Sequence, residues 1–165
     1  MKEAYFAGGC FWCITPVFRQ LAGVESVISG YCGGREVNPT YEDVKHQRTG
    51  HRECICIAYA PEHISYQTLL EIYLRSVDPF DPGGQFIDRG FSYTLAIFFA
   101  DDQQRELARQ ALDALQAQSG KQVCISLERL GTFYPAEEYH QDYDLKNPEA
   151  FHRELEESGR LRGIT

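Results

Sequence analysis

The residues best suited to chemistry stand together near the start of the chain, in the run GGCFWC. Cys10 follows Gly8-Gly9 and precedes the start of a predicted helix. Backbone N–H groups at a helix N-terminus favour a thiolate, and such sites lower a cysteine from its usual value of about 8.5 into the range of about 3.5–7.5. A lone cysteine is more often an inert packing residue. Two flanking features argue against that here. A glycine pair marks backbone that must bend or approach something closely. Trp12, used once in the chain, stands with Phe11 beside the sulfur, so the two rings would line an apolar mouth around a nucleophile. Nucleophilic or redox sulfur chemistry is therefore the first expectation.

The other cysteines are Cys13, Cys32, Cys54, Cys56 and Cys124. They lack a second CxxC or a close histidine pair, so a zinc site is not expected. Sixteen basic against twenty-four acidic residues leave a net charge of −8, which disfavours nucleic acid or an anionic membrane as partner. No apolar run approaches the roughly 20 residues of a membrane span, and MKEAYFAGG is too polar for a signal peptide. The chain thus reads as a cytoplasmic, monomeric protein in a reducing compartment, where structural disulfides are not expected. Walker and GxGxxG patterns are absent, and neither metal nor organic cofactor is implied.

Elements that could position these residues follow from pattern. Strands are expected over 3–7, 24–30, 53–59, 93–99 and 122–130. A helix is expected from about Cys13 to Ala22, with Pro16 in its first turn and Gly23 as its stop. Ser65 caps a second helix with Leu69, Leu70, Tyr73, Leu74 and Val77 on one stripe, and Asp101 or Asp102 caps a third. Residues 31–50 and DPFDPGGQFIDRG read as long loops, which in compact domains tend to be functional. The end of the chain reads as short helices and a polar tail. Alternating strands and helices imply one α+β domain over residues 1–165, a mixed sheet covered by helices.

In order along the chain stand GGCFWC, SGYCGG, NPTY, TGHRE, GGQFIDRG and FYPAEEYHQDYDLKNP. Together they resemble the peptide methionine sulfoxide reductase A family, from residue 5 to about residue 150. The resemblance implies a ferredoxin-like fold and reduction of the S-epimer of methionine sulfoxide, free or in peptides. It makes Cys10 the nucleophile that becomes a sulfenic acid, Glu53 the acid that protonates the oxygen, and Tyr41 and Tyr93 the phenols that hydrogen-bond it. Phe11 and Trp12 would hold the sulfur-bound methyl. Asp88 would bind the substrate backbone amide or order its loop. Thioredoxin is the family's usual reductant. His51 and His140 have no assigned step and read as structural.

The chain departs from the family where GCFWG becomes GCFWC. Cys13, at i+3 from Cys10, becomes the first candidate to resolve the sulfenic acid into a disulfide, because the final SGRLRGIT holds no cysteine. Cys32 is the second candidate. Cys54 and Cys56 share one strand face, opposite Glu53, and read as packing residues. Ser92 and Thr94 replace the usual glutamine and arginine around Tyr93, which leaves its support open. Two other readings remain at this level. A general thiol–disulfide oxidoreductase would use Cys10 and Cys13 without the Glu53–Tyr41–Tyr93 group. A non-enzymatic module would bind oxidised peptides without turnover.

Overall fold

The computed structural model describes residues 1–160. Strands β1 (Lys2–Ala7), β2 (Val24–Cys32), β3 (Arg52–Tyr59), β4 (Gly84–Gln85), β5 (Asp88–Arg89), β6 (Leu95–Phe99), β7 (Ile125–Arg129) and β8 (Tyr134–Pro135) are interleaved with helices. These are α1 (Phe11–Arg19), α2 (Tyr41–Lys45), α3 (Tyr66–Ser76), α4 (Asp102–Ser119), α5 (Tyr143–Lys146) and α6 (Pro148–Ser158). Six strands form one sheet in the order β7-β6-β1-β3-β2-β8, and β4 and β5 form a separate small hairpin. β1 lies antiparallel to both β3 and β6, and β2 antiparallel to β3. The β1–α1–β2 and β3–α3–β6 connections each cross over one intervening strand. The central order β6-β1-β3-β2 is therefore the ferredoxin-like arrangement, extended by a parallel β7 and a short β8.

Period-two alternation decides what each strand offers the site. In β1, Ala4 and Phe6 face the helices, and Phe6 stacks on Tyr73 at 4.7 Å. In β3, Ile55 and Ile57 do the same, so Glu53 falls on the helix-covered face, at the strand's first turn of pleat under α1. Cys54, on the other face, joins a smaller cluster with Ala7, Cys32, Ala96 and Phe98. The expectation that Cys54 and Cys56 face away from Glu53 is met.

Several boundaries differ from expectation. α1 begins at Phe11, not Cys13, which makes Cys10 its N-cap, and Pro16 lies inside the helix instead of in its first turn. Phe11, Ile14, Thr15 and Phe18 are all buried, and that packing holds the helix across the proline. β2 runs on to Cys32. The expected loop 31–50 contains α2, capped by Thr40 Oγ1 accepting from Asp43 N at 3.2 Å. Tyr93 is not in a strand but ends a 3₁₀ turn, Phe91–Tyr93, and the strand expected over 122–130 spans only Ile125–Arg129, as β7. Ser65 and Asp101 cap α3 and α4 as expected. The expected polar tail beyond 160 lies outside the described residues. Among the described residues no helix is long and apolar enough to cross a membrane.

Candidate active site

The two glycines ahead of Cys10 are required by close contacts. Gly9 has φ +85°, and a Cβ there would lie 2.8 Å from Gln85 Cβ. A Cβ on Gly8 would lie 2.3 Å from Ile14 Cδ1. Any larger residue would push the turn off the core and misplace the cysteine.

Cys10, Glu53, Tyr41, Tyr93 and Asp88 all line one cavity of about 400 Å³, with Phe11, Trp12 and Cys13 along its α1 side. Glu53 is 1% exposed. One carboxylate oxygen accepts a hydrogen bond from Phe11 N at 3.2 Å. Burial pushes this carboxyl up to about 8, with Asp88 and Cys13 adding to the rise; the Phe11 N–H and Lys45 oppose it. Glu53 is thus held as a neutral acid at neutral pH. Burial also raises Tyr41 and Tyr93, with Glu53 as the next cause, so both phenols keep their protons. Asp88 is raised by burial, opposed by Arg160.

The two thiols behave differently from the expectation for Cys10. Cys13 is hydrogen-bonded side chain to side chain with Cys10, and Cys13 N donates to Cys10 O at 3.1 Å. That thiol–thiol bond, then burial and the charges of Cys13, Glu53 and Asp88, push Cys10 well above the usual thiol range. The same bond lowers Cys13, assisted by Arg160 and opposed by burial. The helix N-terminus alone does not decide the matter, because Cys10 is buried beside Cys13, with Glu53 and Asp88 in the same pocket.

Phe11 is buried, and its ring packs 5.9 Å from Tyr31. Trp12 stacks on Tyr143 at 3.9 Å and 11°. Its Nε1–H donates to His140 Nδ1 at 3.1 Å. His140 therefore carries its proton on Nε2, and burial lowers it and keeps it neutral. It is structural, and its task is to fix the indole. His51 is also structural: Nδ1 accepts from Gly34 N, and Nε2 lies 2.8 Å from Glu36 O.

The support of Tyr93, left open by its unusual neighbours, comes from those neighbours. Ser92 is buried, its N–H donates to Gln47 Oε1 at 3.0 Å, and its hydroxyl accepts from Gln47 Nε2 at 2.8 Å. This ties the turn holding Tyr93 to the segment after α2, which holds Tyr41. Thr94 Oγ1 accepts from Arg52 Nε at 2.9 Å, beside the Arg52–Glu128 ion pair. Glu137 accepts from Tyr31 Oη at 2.7 Å and from Tyr41 N at 3.0 Å, so it anchors the start of α2.

Cys32 is not brought to the site. It is fully buried on the opposite face of the sheet, because Tyr31 takes the pleat position opposite Glu53 and the next residue must point away. Sequence reasoning missed Tyr143, Glu137, Gln47 and Arg160. Tyr143 and Glu137 lie within the quoted FYPAEEYHQDYDLKNP block; Gln47 and Arg160 carry no local signal.

The fold and cavity define a thiol-based site, in which a cysteine pair opens onto a neutral carboxyl and two phenols. The family model described as peptide methionine sulfoxide reductase matches residues 2–162. A protein of Halalkalibacterium halodurans named peptide methionine sulfoxide reductase MsrA is 48% identical over 163 residues, covering 97% of this chain and 92% of its own. The protein of the same name from Bacillus subtilis is 46% identical, covering 98% and 93%. Among solved structures, Mxr1 from Saccharomyces cerevisiae in reduced form superposes with a TM-score of 0.85 at 28% identity, over 90% of this chain and 86% of its own. Methionine sulfoxide reductase A of Corynebacterium diphtheriae gives 0.81 at 29%, over 89% and 75%. The chain belongs to the peptide methionine sulfoxide reductase family, and its activity is the reduction of methionine sulfoxide.

Proposed function

We propose that residues 1–165 act as one domain that reduces the S-epimer of methionine sulfoxide, free or peptide-bound, through Cys10, Glu53 and Cys13. The observation that carries this reading is the shared cavity: the Cys10 and Cys13 thiols, the Glu53 carboxyl held neutral by burial, and the protonated phenols of Tyr41 and Tyr93 face the same space. Phe11 and Trp12 receive the methyl, and Asp88 holds the substrate backbone or orders its loop. The Cys10 sulfur attacks the sulfoxide sulfur. Glu53 gives its proton to the departing oxygen while Tyr41 and Tyr93 hydrogen-bond it. The S–O bond and the transient S–S bond to substrate both break as the oxygen passes to Cys10, so the substrate sulfur gains the two electrons that Cys10 loses. Methionine leaves, Cys10 is a sulfenic acid, and the proton lost by Cys10 restores Glu53.

Cys13 then attacks the Cys10 sulfur and expels water, closing a disulfide. Its place at i+3 on the same cavity suits it to this task, and the thiolate is the attacking form. Thioredoxin, in the cytoplasm, supplies two electrons to reopen the bond. No step uses a metal or an organic cofactor.

The test is mass mapping of disulfides after one turnover without reductant, run beside Cys13→Ser. The mapped bond should join Cys10 and Cys13. In Cys13→Ser methionine release should stay fast, because Cys10 and Glu53 remain in place. The sulfenic acid should persist, be trapped by dimedone, and thioredoxin-driven turnover should fall. An intramolecular disulfide forming at the normal rate in Cys13→Ser would end the role of Cys13.

A further inference from the structure

The reaction above makes no use of Arg160, yet the protein takes this arginine out of water. It is 4% exposed. Its guanidinium donates to Ser76 O at 2.9 Å and to Gly8 O at 3.0 Å, and lies 5.0 Å from the centre of the Phe86 ring. It forms no ion pair among the described residues. A buried cation without a carboxylate is costly, and two carbonyl dipoles offset only part of that cost. Such a charge is retained where an anion forms nearby. Arg160 and Cys13 line the same cleft of about 310 Å³ between α1 and α6. The guanidinium also presses on the nucleophile's turn, since a Cβ on Gly9 would lie 2.9 Å from Nη2.

From this geometry we propose that Arg160 is a positioning residue for the cysteine pair: it clamps the Gly8–Cys10 turn and places a fixed positive charge behind Cys13. The kinetic part of this proposal rests on the reading of Cys13 as the resolving thiol. The groups that face Cys13 from the surrounding elements are Cys10 at the head of α1, Glu53 of β3, Asp88 of β5, and Glu154 and Glu157 of α6, with Lys45 of α2 and the Tyr41 and Tyr93 phenols across the main cavity. Four of these are carboxyl groups, and each opposes a thiolate when ionised. Arg160 is the buried cation among them. It offsets those carboxyls, so that Cys13 can attack the Cys10 sulfenic acid and form a disulfide with loss of water. The charge also favours Cys13 as a leaving thiolate when the reductant's thiol opens that bond.

The experiment reads Cys13 directly. The intact protein is alkylated with iodoacetamide over a pH series, and the Cys13 peptide is quantified by mass spectrometry in the wild type, Arg160→Gln and Arg160→Lys, with folding checked by thermal melting. An opposite charge close to a titrating group is worth about one pH unit or more. Arg160→Gln should therefore move the Cys13 midpoint up by about one unit and make disulfide closure about threefold slower at pH 7, since a roughly tenfold smaller thiolate fraction is partly offset by a more nucleophilic thiolate. Methionine release in the first turnover should slow as well, because the loosened turn carries Cys10, so the Cys13 midpoint is the deciding readout. Arg160→Lys, which keeps the charge, should keep the wild-type midpoint. An unmoved midpoint in folded Arg160→Gln overturns the proposal, even if closure slows, because that outcome is a packing effect alone. If Arg160→Gln does not fold, Arg160→Lys decides: a midpoint that stays low supports the proposal, and one that rises overturns it. Mapping the closed disulfide separates the two readings. A bond that omits Cys13 refutes its resolving role, while the alkylation midpoint still decides the role of Arg160.

Discussion

Replacing Glu53 with glutamine removes one transferable proton and little else, since the amide keeps the shape of the carboxyl and can accept from Phe11 N. The size of the effect follows from burial. A glutamate at its ordinary 4.5 would be protonated about 0.3% of the time at pH 7, whereas one pushed up to about 8 is protonated about 90% of the time. The pocket thus raises the acid population about 300-fold. Loss of general acid catalysis typically costs about 10²–10⁴-fold. Single-turnover methionine release at pH 7 in Glu53→Gln should fall within that range, with sulfoxide affinity changed by no more than a few-fold. The rate ratio of wild type to variant should hold steady below about pH 7 and shrink roughly tenfold per unit above about 8. Taking the ratio cancels the thiol ionisations common to both proteins. The raised carboxyl also has a stability consequence. The folded state binds a proton there that the unfolded state has released, so its contribution to stability is greatest below about 4.5 and is lost as pH rises through 8. Glu53→Gln should escape that loss and melt at a higher temperature than the wild type at pH 9, with a smaller difference at pH 5. A variant rate within a few-fold of wild type at pH 7, or a ratio flat up to pH 9.5, would refute the assignment of Glu53 as the acid.

Cys10→Ser should show no methionine release in a single-turnover assay, because a hydroxyl near its normal pKa is a poor nucleophile toward sulfoxide sulfur; measurable turnover would remove Cys10 from the mechanism. Gly9→Ala should lower the melting temperature by about 2–8 °C, from a left-handed residue costing about 1–2 kcal/mol in a chain of this size. It should also slow the first turnover, because the displaced turn carries Cys10; calorimetry beside stopped-flow kinetics tests both, and an unchanged melt would mean that the turn relaxes freely.

The sequence alone determined much of the protein. Hydrophobic period placed β1, β3, α3 and α4, and local capping chemistry at Ser65 and Asp101 set two helix starts, since those signals act within a few residues. The strand alternation that sends Glu53 one way and Cys54 the other was equally readable. Six ordered motifs named the residues that share the cavity, from Cys10 and Glu53 to Tyr41, Tyr93 and Asp88. Tertiary structure decided the rest. Cys32 stands two residues past a boundary drawn at Gly30, and only the continued pleat of β2 shows that it faces away from the site. The turn holding Tyr93 is supported through Ser92 by Gln47, 45 residues from that serine, and Trp12 by His140, 128 residues away; no local pattern records such pairs. The balance between the two thiols is likewise a tertiary property. It depends on carboxyl groups from β3 and β5, and on a cation at position 160 that reaches Gly8 across 152 residues. Titration follows the local field and the loss of water, and both are set by what the fold packs around a group, not by the residues beside it in the chain.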